Sequence, residues 1–402
     1  MEDPAVQFRS SRTDRLAIAG LGILALWLAY LLWRVPIVSR GDFLLAIMRV
    51  TENVEEDRWL DALTWPLHIL GGHIVFYTRV LQLVNYYGFG YSPVFVKLAA
   101  VAAWGLVGWA GWRMLKRQQL AAGAEAATLL LLAVITFNPI PWEVLSWPDS
   151  TVPYLSSLIA LLFVAPALVR VLNSHTLRGQ VGLLAGLCVL VIIGSGVGWA
   201  IIPALGWVAV ATGFAEGRGK HTKVVIAAVA AALALVAVAV AFFPGQLRLG
   251  LVTQSLAALP QNLGAVCGYF FSLFATVVGV SARPLASWVG GAVFAASFLV
   301  YLAYKRRFRM ATEPELLFIF GVGSLALVSL GRWKLNVDRG TAVTYYHLFG
   351  LPAFYGAILM AARLLPAKAA SWLLSGAAVA VALAMVPAWK YFDTQFRGQA
   401  DS

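Results

Sequence analysis

Long apolar runs broken by short polar intervals organise this chain. Leu16 to Trp33 passes 18 residues with only the Tyr30 hydroxyl to interrupt it, and Val224 to Phe243 strings twenty apolar residues together. Twenty residues of helix reach about 30 Å, the thickness of a bilayer's hydrocarbon layer. Further runs near 93–112, 124–141, 152–171, 180–195, 198–214, 286–304, 314–331, 344–362 and 370–388 bring the predicted spans to eleven. No small-residue cleavage site follows the first run, so it reads as a retained anchor and not a removable leader. Two other apolar stretches fit less simply. Residues 64–87 are broken by His68, Gly71, Gly72, His73 and Arg79, and read as an interfacial segment. Residues 262–282 are apolar enough to cross, but a crossing there would move the basic cluster at 305–309 to the other side of the membrane. An interfacial or re-entrant helix on the outer face is the expectation.

Composition agrees with the pattern. Hydrophobic residues make up 61% of the chain and charged ones 12%, with a mean hydropathy of +0.80. Soluble proteins carry roughly 25% charged residues, so a water-soluble domain is excluded, as are disorder, collagen and small disulfide scaffolds. The expectation is an all-α polytopic membrane protein forming a single domain over residues 1–402.

The formal charge of +12 resides in short clusters between apolar runs, which points to solvated loops and not to a nucleic-acid groove. With the N-terminus inside and eleven alternating spans, the inner side holds 17 of the 30 basic residues and 7 of the 18 acidic ones. Its net charge is +10, against +2 outside. That asymmetry sets the orientation as N-inside, C-outside. Cys188 and Cys267 both lie in apolar stretches and form no metal-ligand pattern.

Candidate chemistry falls on the outer side. The first outer loop, residues 35–92, holds Asp42, Glu52, Glu55, Glu56, Asp57 and Asp61. Asp42, in SRGDFLLAIM, is placed to act as a general base at the membrane surface, or to cap a helix; both readings stand. On a helix, Arg79, Gln82 and Tyr86 would share one face, and an arginine there suits a phosphate or a lipid headgroup. His73 reads more simply as a hydrogen-bonded interfacial residue. PWEVLSWPDS supplies Glu143 and Asp149, and a loop GRWKLNVDRG between two spans supplies Arg332 and Arg339. GSGVGW at 194–199 has no P-loop lysine and reads as a tight outer turn between two short spans. A membrane-interface belt accounts for Trp33, Trp142, Trp147 and Trp333. No acid pair with ligand spacing stands out, so no metal is indicated.

These elements, taken in order, resemble the bacterial multi-pass membrane glycosyltransferases of the GT-C type, in particular a poorly characterised subgroup. Gly41-Asp42-Phe43-Leu44 matches the Asp-Phe-Leu element after the first span. His73 and Arg79, six apart, match the His and second Arg of the next element, and Tyr86 with the following Gly-Phe-Gly matches its tail. Trp142-Glu143 and Trp147 match a third element, and Gly331-Arg332 begins a fourth. The chain departs from the pattern at Gly72, where the family has Glu, at Asn85, where it has Asp, and near Thr344, where it has Arg; Arg339 is the available substitute for the last.

The resemblance implies a GT-C-like fold and an active site on the periplasmic face of the bacterial inner membrane. It also implies transfer of a sugar from a polyprenyl-phosphate donor held in the membrane lipid to a glycan, lipid or protein acceptor. Asp42 would be the base, Arg79, Arg332 and Arg339 the phosphate contacts, and His73, Glu143 and Tyr86 supporting or acceptor-side residues. Two other classes compete: a non-catalytic membrane subunit of a polysaccharide assembly complex, and a transporter or flippase for lipid-linked glycans.

Overall fold

A computed structural model describes residues 76–137, 148–174, 180–216, 227–235, 249–280, 285–339 and 344–387, with isolated positions between 22 and 67 and Val238. All regular structure among them is helical. In chain order the helices are α1 (Phe76–Phe89), α2 (Pro93–Arg117), α3 (Ala122–Thr136), α4 (Pro148–Asn173), α5 (Val181–Ile192), α6 (Ile201–Glu216), α7 (Leu249–Val277), α8 (Leu285–Arg307), α9 (Glu313–Arg339), α10 (Leu351–Leu364) and α11 (Ala367–Ala384). Short 3-10 turns lie at Trp65–Leu67, Gly198–Ala200 and Thr344–Gly350. Residues 227–235, inside the longest apolar run, are helical.

Five helical segments among the described residues are long and apolar enough to cross a membrane: Pro93–Arg117, Tyr154–Asn173, Leu285–Arg307, Glu313–Arg332 and Ala367–Ala384. Their exteriors are what lipid requires. In α8 and α11 only 17% of the apolar window is buried, against 61% in α4 and α9. Trp288 and Trp372 are 79% and 74% exposed, beside Leu299 and Leu383. An apolar surface this continuous is not tolerated in water. The protein is membrane-embedded.

The centre of the bundle is α10, buried from Leu351 to Met360, lying against α9. The two helices approach through small residues. A Cβ on Gly321 would strike the backbone of Ala353, and one on Gly356 would strike Pro314 and the backbone of Phe318. Close backbone approach of this kind supplies dispersion contacts between helices where lipid removes the hydrophobic drive.

Basic residues gather at one end of the bundle. Lys116 and Arg117 end α2, Arg170 lies in the last turn of α4, Lys305, Arg306 and Arg307 end α8, and Arg363 lies in the last turn of α10. Each therefore complements a helix C-terminus. Ion pairs tie these ends together: Lys116 to Glu125 at 2.5 Å, Arg117 to Glu313 at 2.7 Å, and Lys305 to the fully buried Glu315 at 3.0 Å.

Several sequence expectations change. The stretch GRWKLNVDRG is not a loop: α9 continues through it as far as Arg339, the last described residue there. The run 344–362 is not one uniform helix, because a 3-10 turn over Thr344–Gly350 precedes α10, whose first turn carries Pro352. Residues 262–277 form the second half of α7. This stretch packs beside α8 through Gly268 on Ser287, Phe271 on Gly290 and Phe274 on Phe294, contacts that advance together along both helices, so the two run in the same direction there. Within the segment 64–87 the described residues form the 3-10 turn Trp65–Leu67 and α1. The first predicted span, at 16–33, lies outside the described residues save for Gly22 and Leu26.

Candidate functional site

The end of the bundle away from the basic clusters owes its shape to a short helix. α5 has 12 residues, about 18 Å of length, so it ends well short of the about 30 Å apolar layer. The turn after it is therefore sunk into the bundle, and Gly194, Ser195 and Gly198 are buried. Irregular backbone at that depth persists only where protein satisfies its polar groups. Here α4 does so. Ser156 Oγ donates to the Gly194 carbonyl, Ser157 Oγ donates to the Val191 carbonyl at 3.1 Å, and the Ser157 and Ser195 hydroxyls share a hydrogen bond at 2.8 Å.

α1 docks onto the same turn. The Phe76 amide donates to the Ile193 carbonyl at 3.1 Å, and the Tyr77 hydroxyl donates to the Leu190 carbonyl at 2.9 Å. Burial raises the Tyr77 phenol above its ordinary pKa, which keeps it a donor. One turn before Ser157 on α4, Tyr154 packs at 5.4 Å on Phe349 and at 6.4 Å on Tyr346, both in the 3-10 turn before α10.

α1 itself is inverted. Its buried residues are Thr78, Arg79 and Asn85, while Val80, Val84, Tyr87 and Phe89 are exposed. A helix in water hides its apolar stripe; one at a lipid boundary turns it outward and keeps its polar stripe for the protein. Arg79 is 4% exposed, donates from Nη1 to the Trp65 carbonyl at 2.6 Å, and lies over the Trp65 ring at 4.8 Å. Asn85 is 1% exposed, and among the described residues neither atom of its amide has a hydrogen-bond partner; the same holds for the Thr78 hydroxyl. Buried polar groups in this state are costly, which is why such groups mark sites.

The predicted polar stripe of Arg79, Gln82 and Tyr86 is thus rotated: Thr78, Arg79 and Asn85 face inward, with Gln82 and Tyr86 half-buried at the border. Tyr86 receives a hydrogen bond from Thr51 Oγ1 at 3.2 Å, which ties α1 to the acidic first loop. Arg332 and Arg339 are positions on one helix, two turns apart. Gly323, lower on α9, faces Ala200 of the sunken turn, so Arg332 stands about 13 Å further along the axis toward this end of the bundle. Asp42, His73 and Glu143 lie outside the described residues.

Sequence reasoning missed Ser156, Ser157, Ser195 and Thr78, and noted Asn85 only as a departure from the resembled family. The pair Ser156-Ser157 inside an apolar run was the available signal, since adjacent hydroxyls at membrane depth need partners. No protein-family model matches the chain, and neither a curated protein nor a solved structure does.

Proposed function

We propose that this protein is a polyprenyl-phosphate-dependent membrane glycosyltransferase of GT-C type, acting at the end of the bundle opposite its basic clusters. One observation carries the reading: a buried arginine, Arg79, on a helix whose apolar side faces outward and whose first residues dock on a turn held by serine hydroxyls. That combination suits a donor with an apolar tail in lipid and a phosphate at the protein. Arginine binds phosphate through paired N–H donors and stays charged when desolvated.

In this reading Asp42 takes the proton of the acceptor hydroxyl, which attacks the anomeric carbon. The bond to phosphate oxygen breaks, and Arg79 with Arg332 and Arg339 stabilises the departing phosphate. Glu143, His73 and Tyr86 support the acceptor side. The basic end faces the cytoplasm and the site faces the periplasm of a bacterial inner membrane.

The experiment is mass spectrometry of surface glycans and glycolipids in a deletion strain complemented with wild type, Asp42→Asn or Arg79→Gln at equal expression. Loss of one defined sugar, restored by wild type alone, is the expected result. Full restoration by Asp42→Asn would sink the catalytic assignment and favour a non-catalytic subunit, the reading to which Asn85 in place of an acid already leans.

A further inference from the structure

The basic end of the bundle carries a cavity that the proposed transferase reaction does not use. It has a volume of about 270 Å³ and lies where two helical hairpins meet: the turn between α2 and α3, with Gln118, Leu120 and Ala121, and the turn between α10 and α11, with Arg363, Leu365 and Ala367. Phe308, just past the end of α8, forms a third side.

Arg363 is the charge in this cavity. Its partners among the described residues are neutral: Nη1 donates to the Tyr304 hydroxyl at 2.9 Å and to Gln118 Oε1 at 3.4 Å, and the guanidinium lies over the Phe308 ring at 4.3 Å. The nearby acids are engaged elsewhere, Glu125 with Lys116 and Glu313 with Arg117. Two helices also begin at this cavity. α3 starts after Ala121 and α11 after Pro366, and neither first turn has a side-chain cap. They run side by side from here, Gly123 of one lying near Ser371 of the other. One arginine with neutral partners and the uncapped starts of two helices thus border one hollow, where the Glu125 carboxylate of the α3 first turn is held by Lys116, an arrangement that favours a phosphate. Leu120, Leu365 and Phe308 supply an apolar rim.

We propose that this cavity binds a phosphate group at the basic face of the membrane, carried by a phospholipid headgroup or present as free phosphate. The volume lies just under the about 300 Å³ where small-molecule sites begin, a scale that suits one headgroup. The site is distinct from the one around Arg79 and stands whether or not the chain is a transferase.

The test uses the full chain, delipidated in detergent, and native mass spectrometry with three probes: dioctanoyl phosphatidylglycerol, the phosphate-free dioctanoylglycerol, and sodium phosphate. Two variants accompany the wild type. Arg363→Gln removes the cation. Ala121→Asp places a carboxylate at a backbone position, φ −63° and ψ 146°, already suited to a helix cap, so it keeps or improves folding while repelling an anion. Phosphatidylglycerol is expected to bind wild type at least ten-fold more tightly than either variant, with dioctanoylglycerol indifferent to both changes. If phosphate displaces the lipid with the same dependence on Arg363 and Ala121, free phosphate is an occupant too. Equal phosphatidylglycerol binding by wild type and the well-folded Ala121→Asp variant overturns the proposal, as does equal retention of the phosphate-free lipid.

Discussion

The pair Lys305–Glu315 offers a sharp test of how this bundle is held. Glu315 is fully buried at the start of α9, and Lys305, near the end of α8, is 11% exposed. Besides the 3.0 Å ion pair, Lys305 donates to Thr212 Oγ1 of α6 at 3.0 Å, and Glu315 accepts from the Tyr301 hydroxyl at 3.4 Å. Three helices are thereby pinned at one point. At 3.0 Å and an effective dielectric constant near 20 the attraction is about 5 kcal/mol, most of it offset by desolvation. Removing one partner forfeits the attraction and keeps the penalty, a loss of about 3–5 kcal/mol. The two single variants are not equivalent. Glu315→Ala leaves an ammonium with Thr212, the Met310 carbonyl and some solvent, so its cost falls near the lower figure. Lys305→Met leaves a carboxylate with no solvent and only weak donors, so it falls near the upper. The double variant Lys305→Met/Glu315→Leu removes both charges and should recover most of the loss. Equilibrium unfolding in mixed detergent micelles, followed by circular dichroism, measures all three. Single variants within about 1 kcal/mol of wild type, or a double variant as unstable as the worse single, would refute the argument.

Glycine substitutions should separate sharply by position. Gly356→Ala forces a methyl group into Pro314 and Phe318 and should cost about 1–3 kcal/mol, whereas Gly376→Ala, with nothing within 4 Å, should stabilise by up to about 1 kcal/mol in the same unfolding assay. Trp65→Ala removes the ring under the Arg79 guanidinium; the loss of that contact, about 1–2 kcal/mol, should appear as lower stability together with lower donor turnover if Arg79 holds phosphate. The orientation is open to cysteine labelling in intact cells. With Cys188 and Cys267 replaced, a cysteine at Lys368 should be protected from an impermeant maleimide and one at Tyr91 should be labelled; the reverse result inverts the topology.

Much of the fold was legible in one dimension. The runs at 93–112, 152–171, 286–304 and 370–388 became α2, α4, α8 and α11 with shifts of a few residues, because lipid makes one demand of a span, an apolar length, and that demand is local in sequence. The shared end of Lys116, Arg117, Arg170, Lys305 and Arg363 was readable once 262–282 was left out of the count, since alternation of the remaining spans puts these residues on one side. What depended on partners was not readable. Nothing in VGLLAGLCVLVI states that the turn after it is sunk and held by Ser156 and Ser157 of another helix. Nothing in FYTRVLQLVNYYGF states that Thr78 and Asn85, and not Gln82 and Tyr86, turn inward. The continuation of α9 through GRWKLNVDRG as far as Arg339 likewise rests on packing, in which a polar or ambiguous segment takes the conformation that its neighbours can satisfy. The sequence determined which segments belong in lipid and which end of the bundle is basic, as both follow from summed side-chain transfer energies. Tertiary structure alone decided which polar groups meet, because a hydrogen bond or an ion pair exists only where two distant stretches of chain are brought within about 3 Å of each other.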